Sequence, residues 1–408
     1  MRVCLVKYGF YENAASLMQF ASALAERGDE VEVIALRRKD QAHFEVVNGV
    51  RLFRIQQRIV NERSRLAYLV RILGFFLRCA ARLSRAQLTR AYDVIHVQSV
   101  PDFLVFAALF AKFMGARVIL DAHEIVPEFY AAKFHAERRH VVFRMLVWLE
   151  RLTARFADHI VIPNPLWYRR MVRRSARPEK CSVIRYLPDP KVFYPRPRRR
   201  LDPRFLIVYP GTLNAHQGLD VGIRGFARMA RLSPASEFHI YGEGPMKQRL
   251  QTLAKSLGLE KRVLFYDMVS KVQIPELMSE YDLAVVPKLS SCLFGNEAES
   301  TKIVELMALG VPVVVAKTRI DQFYYSDSTV RFFEPQNEKD LANGLLDVAR
   351  NEEFRAKLAA NGKQYFKSNN WDTVKGHYLA IVDRLGCANL PAGELADRSW
   401  AWIRSRRA

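Results

Sequence analysis

No run in the 408 residues reaches the roughly 18 uninterrupted apolar positions that a membrane-spanning helix needs. The best apolar stretch, 103–111, is about half that length and stops at Lys112. Cysteine is scarce: Cys4, Cys79, Cys181, Cys292 and Cys387 are odd in number, scattered and never spaced as Cys-x-x-Cys. That excludes a disulfide framework and a structural zinc site, and leaves buried free thiols as the expectation. The histidines show no metal-ligand spacing, and no Asp-x-Asp pair occurs to hold a divalent ion. The N-terminal MRVCLVKYGF runs straight into a strand-like pattern without a signal-peptide cleavage site, so the expected location is the cytoplasm.

Acidic residues are also few. There are 42 Asp and Glu against 63 Lys and Arg, a net charge of +21. Such a surplus suits polyanions: nucleic acid, an anionic membrane or phosphorylated substrates. A generally basic proteome would give the same surplus. No nucleic-acid recognition motif accompanies the charge, so nucleic acid is not an expected partner.

Half of the residues are hydrophobic and a quarter charged, the balance of a globular protein. The length suits two domains of roughly 150–200 residues, each with a sizeable core. Short β-branched runs alternate with amphipathic stretches, which predicts α/β architecture with parallel sheets. Strands are expected at 3–6, 31–35, 50–55, 94–97, 118–120 and 160–162, then at 205–209, 238–241, 263–265, 283–286 and 311–315. Between the first two lies a helix with Leu17, Met18, Ala21, Leu24 and Ala25 on one face, stopped at Gly28. The stretch 186–204, YLPDPKVFYPRPRRRLDPR, holds five prolines and breaks the alternation. The domain boundary belongs there, and ligands of such folds sit beyond the carboxyl ends of the strands.

The most informative segment is 296–316, NEAESTKIVELMALGVPVVVA. Glu297 and Glu305 are separated by seven residues, and a helix starts at Ser300 or Thr301. Its free N–H groups and dipole would favour a phosphate, with Glu305 about one turn further in. A plain amphipathic helix with a capping hydroxyl accounts for the same pattern.

Glu-x7-Glu followed by MALGVPVVVA resembles the signature of the family 4 retaining glycosyltransferases. YPGTLNAHQGLDVGIRGFARM, YGEGPMKQRL, RVLFYDMV and YDLAVVP match in the same order, as do ALAERGDEVEVIAL, the stretch from YDVIHVQSVPDF to HEIVPEFYAAKF, and ADHIVIPNPLWYRRMV. The resemblance covers residues 1 to about 386 and is closest to bacterial exopolysaccharide and lipid-linked oligosaccharide assembly enzymes. It implies the GT-B fold, two Rossmann-like parallel-sheet domains facing each other across a cleft. The implied divisions are an acceptor-side domain (1–188), a donor-binding domain (189–370), a helix crossing back (371–386) and a basic tail (387–408). The implied activity is metal-independent transfer, of the hexosyltransferase type, from a nucleotide-diphosphate sugar to a glycan or polyprenyl-diphosphate-linked acceptor, with no cofactor.

The resemblance also assigns roles. Glu297 would contact donor-sugar hydroxyls, and Glu305 the ribose. Ser300, Thr301 and Lys302 would face the diphosphate, which Gly211 would let approach the backbone. His123, in LDAHE after a strand, matches the active-site histidine, although a lone His there is more often structural. Gly9 would lie in the acceptor-side loop after the first strand, with Gly-Phe where many relatives have Gly-Gly. Two cations usual in the family are replaced by Thr212 and Gln217 in the donor loop. Lys302, Lys288 and His216 are the nearest substitutes. This departure keeps a non-catalytic partner subunit open as an alternative, beside a nucleotide-sugar epimerase of the same fold.

Residues 63–90 form a long amphipathic pattern. Leu66, Leu69, Val70, Leu73, Leu77 and Ala80 share one face, and Arg71, Arg78, Arg82 and Arg85 another. The leading expectation is a helix covering the sheet with a solvated arginine face. The functional one is attachment to an anionic membrane surface, with Phe75 and Phe76 partly exposed. The tail carries Trp400, Trp402, Ile403 and four arginines, and reads as an interfacial anchor or a frayed end.

Overall fold

The computed structural model describes residues 1–58, 65–134, 140–270 and 273–386. The tail at 387–408 thus lies outside the described residues. The described residues form two compact units, one of residues 1–186 with 374–386 and one of residues 187–373.

In the first unit the strands are β1 (Arg2–Phe10), β2 (Glu30–Arg37), β3 (Phe44–Val47), β4 (Val50–Gln57), β5 (Val94–Gln98), β6 (Arg117–Asp121), β7 (His159–Ile162) and β8 (Cys181–Val183). They lie in the order β3-β4-β2-β1-β5-β6-β7-β8, parallel except for the β3–β4 hairpin. Val3, Leu5, Val33, Val97 and Ile119 are buried, because helices cover both faces of a parallel sheet. The helix Ala15–Arg27 buries Leu17, Phe20, Ala21 and Leu24 and ends at Gly28 in the left-handed conformation, as the sequence predicts.

The second unit holds β9 (Phe205–Pro210), β10 (Ser236–Tyr241), β11 (Val263–Tyr266), β12 (Leu283–Val286), β13 (Val313–Ala316) and β14 (Arg331–Phe333). Their order, β11-β10-β9-β12-β13-β14, is the doubly wound dinucleotide-fold order 3-2-1-4-5-6. Its core joins Ile207, Phe226, Phe238, Ile240, Val285 and Leu341. The arginines of the proline-rich stretch are tied to this unit. Arg198 and Arg200 both pair with Asp282, at 2.6 Å each, and Arg204 pairs with Glu237 at 3.0 Å.

Several expectations need correction. Strand β1 continues to Phe10, so Gly9 lies inside the strand and not in a loop after it. On the helix Arg65–Thr89, the residues that pack inward are Ile72, Phe75, Cys79 and Leu83. Leu69, Val70, Leu73 and Leu77, expected to cover the sheet, are exposed instead, and Phe75 is fully buried. Two of the arginines reach back to β4. Arg82 sits 3.3 Å over the Phe53 ring, and Arg78 donates to Gln56 at 2.7 Å. Among the thiols, Cys4, Cys79 and Cys181 are buried, but Cys292 is only partly so.

Candidate functional site

In the second unit the strand order reverses at the parallel neighbours β9 and β12, and the loops beyond their carboxyl ends form the place where such folds bind ligands. Gly211 follows β9 with φ +151°, a backbone that side chains disfavour. Its N–H donates to the Tyr241 carbonyl at 2.8 Å, which locks this loop to the end of β10. The next loop is equally tight. A Cβ on Gly242 would lie 1.9 Å from the Gly211 carbonyl oxygen, so both positions require glycine.

The free side of Gly211 is occupied by Lys302. A Cβ on Gly211 would stand 2.9 Å from Lys302 Cε and 3.0 Å from Nζ. The ammonium also lies 5.4 Å from the centroid of the Tyr209 ring. Lys302 sits in the first turn of the helix Thr301–Leu309, with Ser300 as its N-cap residue. Burial pushes Lys302 down to about 8, and Lys288 adds to this, while Glu305 and Asp321 oppose it. Ser300 is buried, yet its hydroxyl makes no capping bond and has no hydrogen-bond partner among the described residues. Buried hydroxyls are normally satisfied, so this one fits an acceptor supplied by a ligand. Thr301 beside it is exposed, and Glu305 is half-buried one turn on.

The other substitute cations are committed elsewhere. Lys288 is buried, pairs with Asp321 at 2.7 Å and donates to the Ala298 carbonyl at 2.9 Å. His216 is pushed down to about 4, chiefly by burial and then by Lys302 and Lys288, so it is neutral at pH 7. Its ring contacts the Gln217 amide at 3.2 Å, and Thr212 is exposed with its carbonyl accepting from Tyr209 at 2.9 Å. Of the three, Lys302 is the cation in position. Glu297 ends the short helix Leu293–Glu297, is 1% exposed and pairs with Arg319 at 3.2 Å. Arg319 went unnoticed in the sequence, although it is a basic residue four positions after the predicted strand.

In the first unit the loop after β6 carries His123. Its N–H donates to the Asp121 carbonyl at 2.8 Å, and its ring packs against Tyr186 with centroids 4.7 Å apart. Beneath it lies a buried polar network at the ends of β5 and β6. Asp121 accepts from Gln98 at 2.8 Å and from the Tyr186 hydroxyl, and His96 stands 3.6 Å away. His96 in turn bonds Tyr378 of the helix Trp371–Gly386 at 2.9 Å, and Lys7 donates to Gln98. Burial raises the Asp121 carboxyl, but His96, His123 and Tyr186 outweigh it and hold the group below its usual range. Gly9 lies beside Lys7 of this network, whose Cε would be 3.0 Å from an added Cβ. No group of three or more His, Cys, Asp or Glu among the described residues is placed to hold a metal ion.

Residues 194–365 match the family described as glycosyl transferases group 1, and residues 14–186 match the glycosyl transferase 4-like domain. The two matches account for both units. The chain belongs to the family 4 type glycosyltransferases. This glycosyltransferase is similar to alpha-D-kanosaminyltransferase of Streptomyces kanamyceticus, with 22% identity over 67% of this chain and 75% of that one. It is also similar to the amylovoran biosynthesis glycosyltransferase AmsK of Erwinia amylovora, at 25% identity over 43% of each chain. The AmsK match thus spans less than half of that relative. Sucrose-phosphate synthase from Thermosynechococcus elongatus superposes with a TM-score of 0.78 at 16% identity, covering 95% of this chain and all of that one. HepE of Anabaena, solved in complex with UDP and glucose, gives 0.70 at 15% identity, covering 94% and 99%. The glycosyltransferase therefore has the GT-B fold.

Proposed function

We propose that this glycosyltransferase moves a sugar, with retention at the anomeric carbon, from a nucleotide-diphosphate sugar to a glycan or polyprenyl-diphosphate-linked acceptor. The setting is exopolysaccharide assembly, with the protein peripheral at the inner face of the cytoplasmic membrane. One observation carries the donor reading: the Lys302 ammonium, the bare backbone of Gly211 and the partnerless hydroxyl of buried Ser300 meet at one helix N-terminus. A cation, a free hydroxyl donor and a helix N-terminus are the groups that suit a phosphate. The UDP and glucose bound by HepE support a nucleotide-sugar donor.

In this reading the bond from the anomeric carbon to the diphosphate oxygen breaks through an oxocarbenium-like transition state, while an acceptor hydroxyl bonds to the same face of that carbon and its proton leaves with the nucleotide diphosphate. Negative charge grows on the departing oxygen, and Lys302 with the helix N–H groups is already aimed at it. Lys302 takes over the work of the cations absent at Thr212 and Gln217, and the reaction needs no metal. Glu305 accepts from ribose hydroxyls, Glu297 from the donor sugar, and His123 helps hold the reacting centre.

Thermal-shift screening with a panel of nucleotide diphosphates and sugar nucleotides tests the donor assignment. A ligand at 100 times its Kd raises stability by about 2.7 kcal/mol. Transfer of labelled sugar to a lipid-linked acceptor tests the rest. If no nucleotide diphosphate or sugar nucleotide shifts the melting transition, the proposal is wrong.

A further inference from the structure

No helix among the described residues is long and apolar enough to cross a membrane. The first unit nevertheless exposes a broad apolar surface built from three neighbouring elements. The helix Arg65–Thr89 contributes Leu69, Val70, Leu73 and Leu77. The segment Leu109–Phe113 and its cap contribute Leu109, Phe113 and Met114, and the helix Val141–Phe156 contributes Val141, Met145 and Trp148. The 3-10 turn Asp102–Ala108 packs between the two long helices and joins them. Phe103 lies 6.0 Å from Phe76 on one side, and Phe106 lies 5.1 Å from Phe156 on the other.

These residues are not marginally exposed. Phe113 is 88% exposed, Leu77 65% and Trp148 59%. Each long helix also has a separate buried side: Ile72, Phe75, Cys79 and Leu83 on one, Phe143, Thr153 and Ala154 on the other. The outward apolar strips therefore contribute nothing to the core. Large apolar side chains left exposed together on neighbouring elements mark an interaction site.

We propose that this three-element surface is where the protein enters a lipid bilayer, its apolar side chains inserted among the acyl chains. The proposal rests on the membrane part of the proposed function and changes its physical basis. The arginines were the expected contact, yet Arg82 is engaged with Phe53 of β4 and Glu32 of β2. The side chains positioned to insert are leucine, valine, phenylalanine, methionine and tryptophan.

Charge argues for lipid over a second copy of the chain. Arg78, Arg85, Arg144, Arg151 and Arg155 border the strips and are exposed or half-exposed, and the whole chain carries +21. Two such surfaces would repel each other, whereas anionic headgroups would be drawn to the rim. A tryptophan at the border of an apolar strip suits the headgroup boundary, where one side of the ring is dry and the other wet. An amphipathic surface with a basic rim is the pattern of an interfacial protein.

The test is flotation of the full chain with phosphatidylcholine vesicles, with and without about one third phosphatidylglycerol, at about 0.1 M and about 0.5 M NaCl. Wild type should float with the mixed vesicles at both salt concentrations. The variant Leu77→Ser, Phe113→Ser, Trp148→Ser should lose at least about tenfold in partitioning at both. The variant Arg78→Gln, Arg85→Gln, Arg144→Gln should lose only the low-salt increment on anionic vesicles. Should the serine variant not fold, Phe113→Ser alone repeats the test at the most exposed position. Wild-type flotation by the serine variants overturns the proposal. So does a wild-type dimer in lipid-free solution that the serine changes dissociate. Nucleotide thermal shifts in the same preparations separate the two claims, because vesicle binding without donor binding overturns only the transfer reading.

Discussion

A methyl group placed on Gly211 would stand 2.9 Å from Cε of Lys302. The glycine and the lysine thus share one space, and the loop after β9 keeps its backbone bare for the lysine to lie across it. Gly211→Ala should displace the ammonium and strain the backbone at φ +151°. The strain costs about 1–3 kcal/mol, and nucleotide diphosphate affinity should fall at least tenfold. Calorimetric titration beside a thermal melt measures both. Affinity equal to wild type would mean that the loop does not contact the donor.

Donor binding should depend on pH through Lys302. Its ammonium is held down to about 8, so it is charged at pH 7 and loses its proton as pH rises through 8. A bound diphosphate raises that value again, because an opposite charge favours the ammonium. Binding of a nucleotide diphosphate near pH 8.5 (roughly one half-unit above the free-state value) should therefore take up protons. Titration in two buffers of different ionisation heat detects the uptake, and Lys302→Met should abolish it.

Arg319→Gln removes the cation that pairs with buried Glu297. The pair is open to solvent on the arginine side, so the loss of stability should be small, about 0.5–1 kcal/mol. Turnover should suffer more, because Arg319 holds the Glu297 carboxylate where the proposed function puts the donor sugar. Steady-state kinetics of the variant measure the loss in kcat. Wild-type turnover would remove Arg319 from the site.

In the first unit, Asp121→Asn should cost about 1–3 kcal/mol by leaving Gln98, Tyr186 and His96 poorly satisfied. The folded carboxyl is held below its unfolded value of about 4. Its contribution is thus complete above pH 4 and disappears as pH falls through the folded value. Urea melts of the two proteins should differ at pH 7 and converge in acid.

The central strands were readable because a parallel sheet buried on both faces needs short, mainly apolar runs rich in β-branched residues, and 3–6, 94–97 and 283–286 are such runs. Strands β3, β8 and β14 escaped notice. Two are three residues long, and β3 is an edge strand with Phe44 and Val46 exposed, so neither length nor pattern distinguishes them. The helix at 65–89 misled for another reason: it is apolar on two sides, and periodicity alone cannot say which one packs. The polar network around Asp121 left one trace, the alternation of His96 and Gln98 in VIHVQ, which puts two polar side chains on one face of a buried strand. Its other members, Tyr186 and Tyr378, meet it only through the fold.

Lys302 standing in for cations absent at Thr212 and Gln217 is the central claim, and single-turnover sugar transfer by Lys302→Met tests it most directly. The lysine acts on charge that develops as the bond breaks, so its loss should lower the rate by about 10²-fold or more, with a smaller change in donor affinity. Restoring cations by Thr212→Arg and Gln217→Lys in the same background should recover much of that rate. A Lys302→Met enzyme that transfers sugar at the wild-type rate would contradict the account.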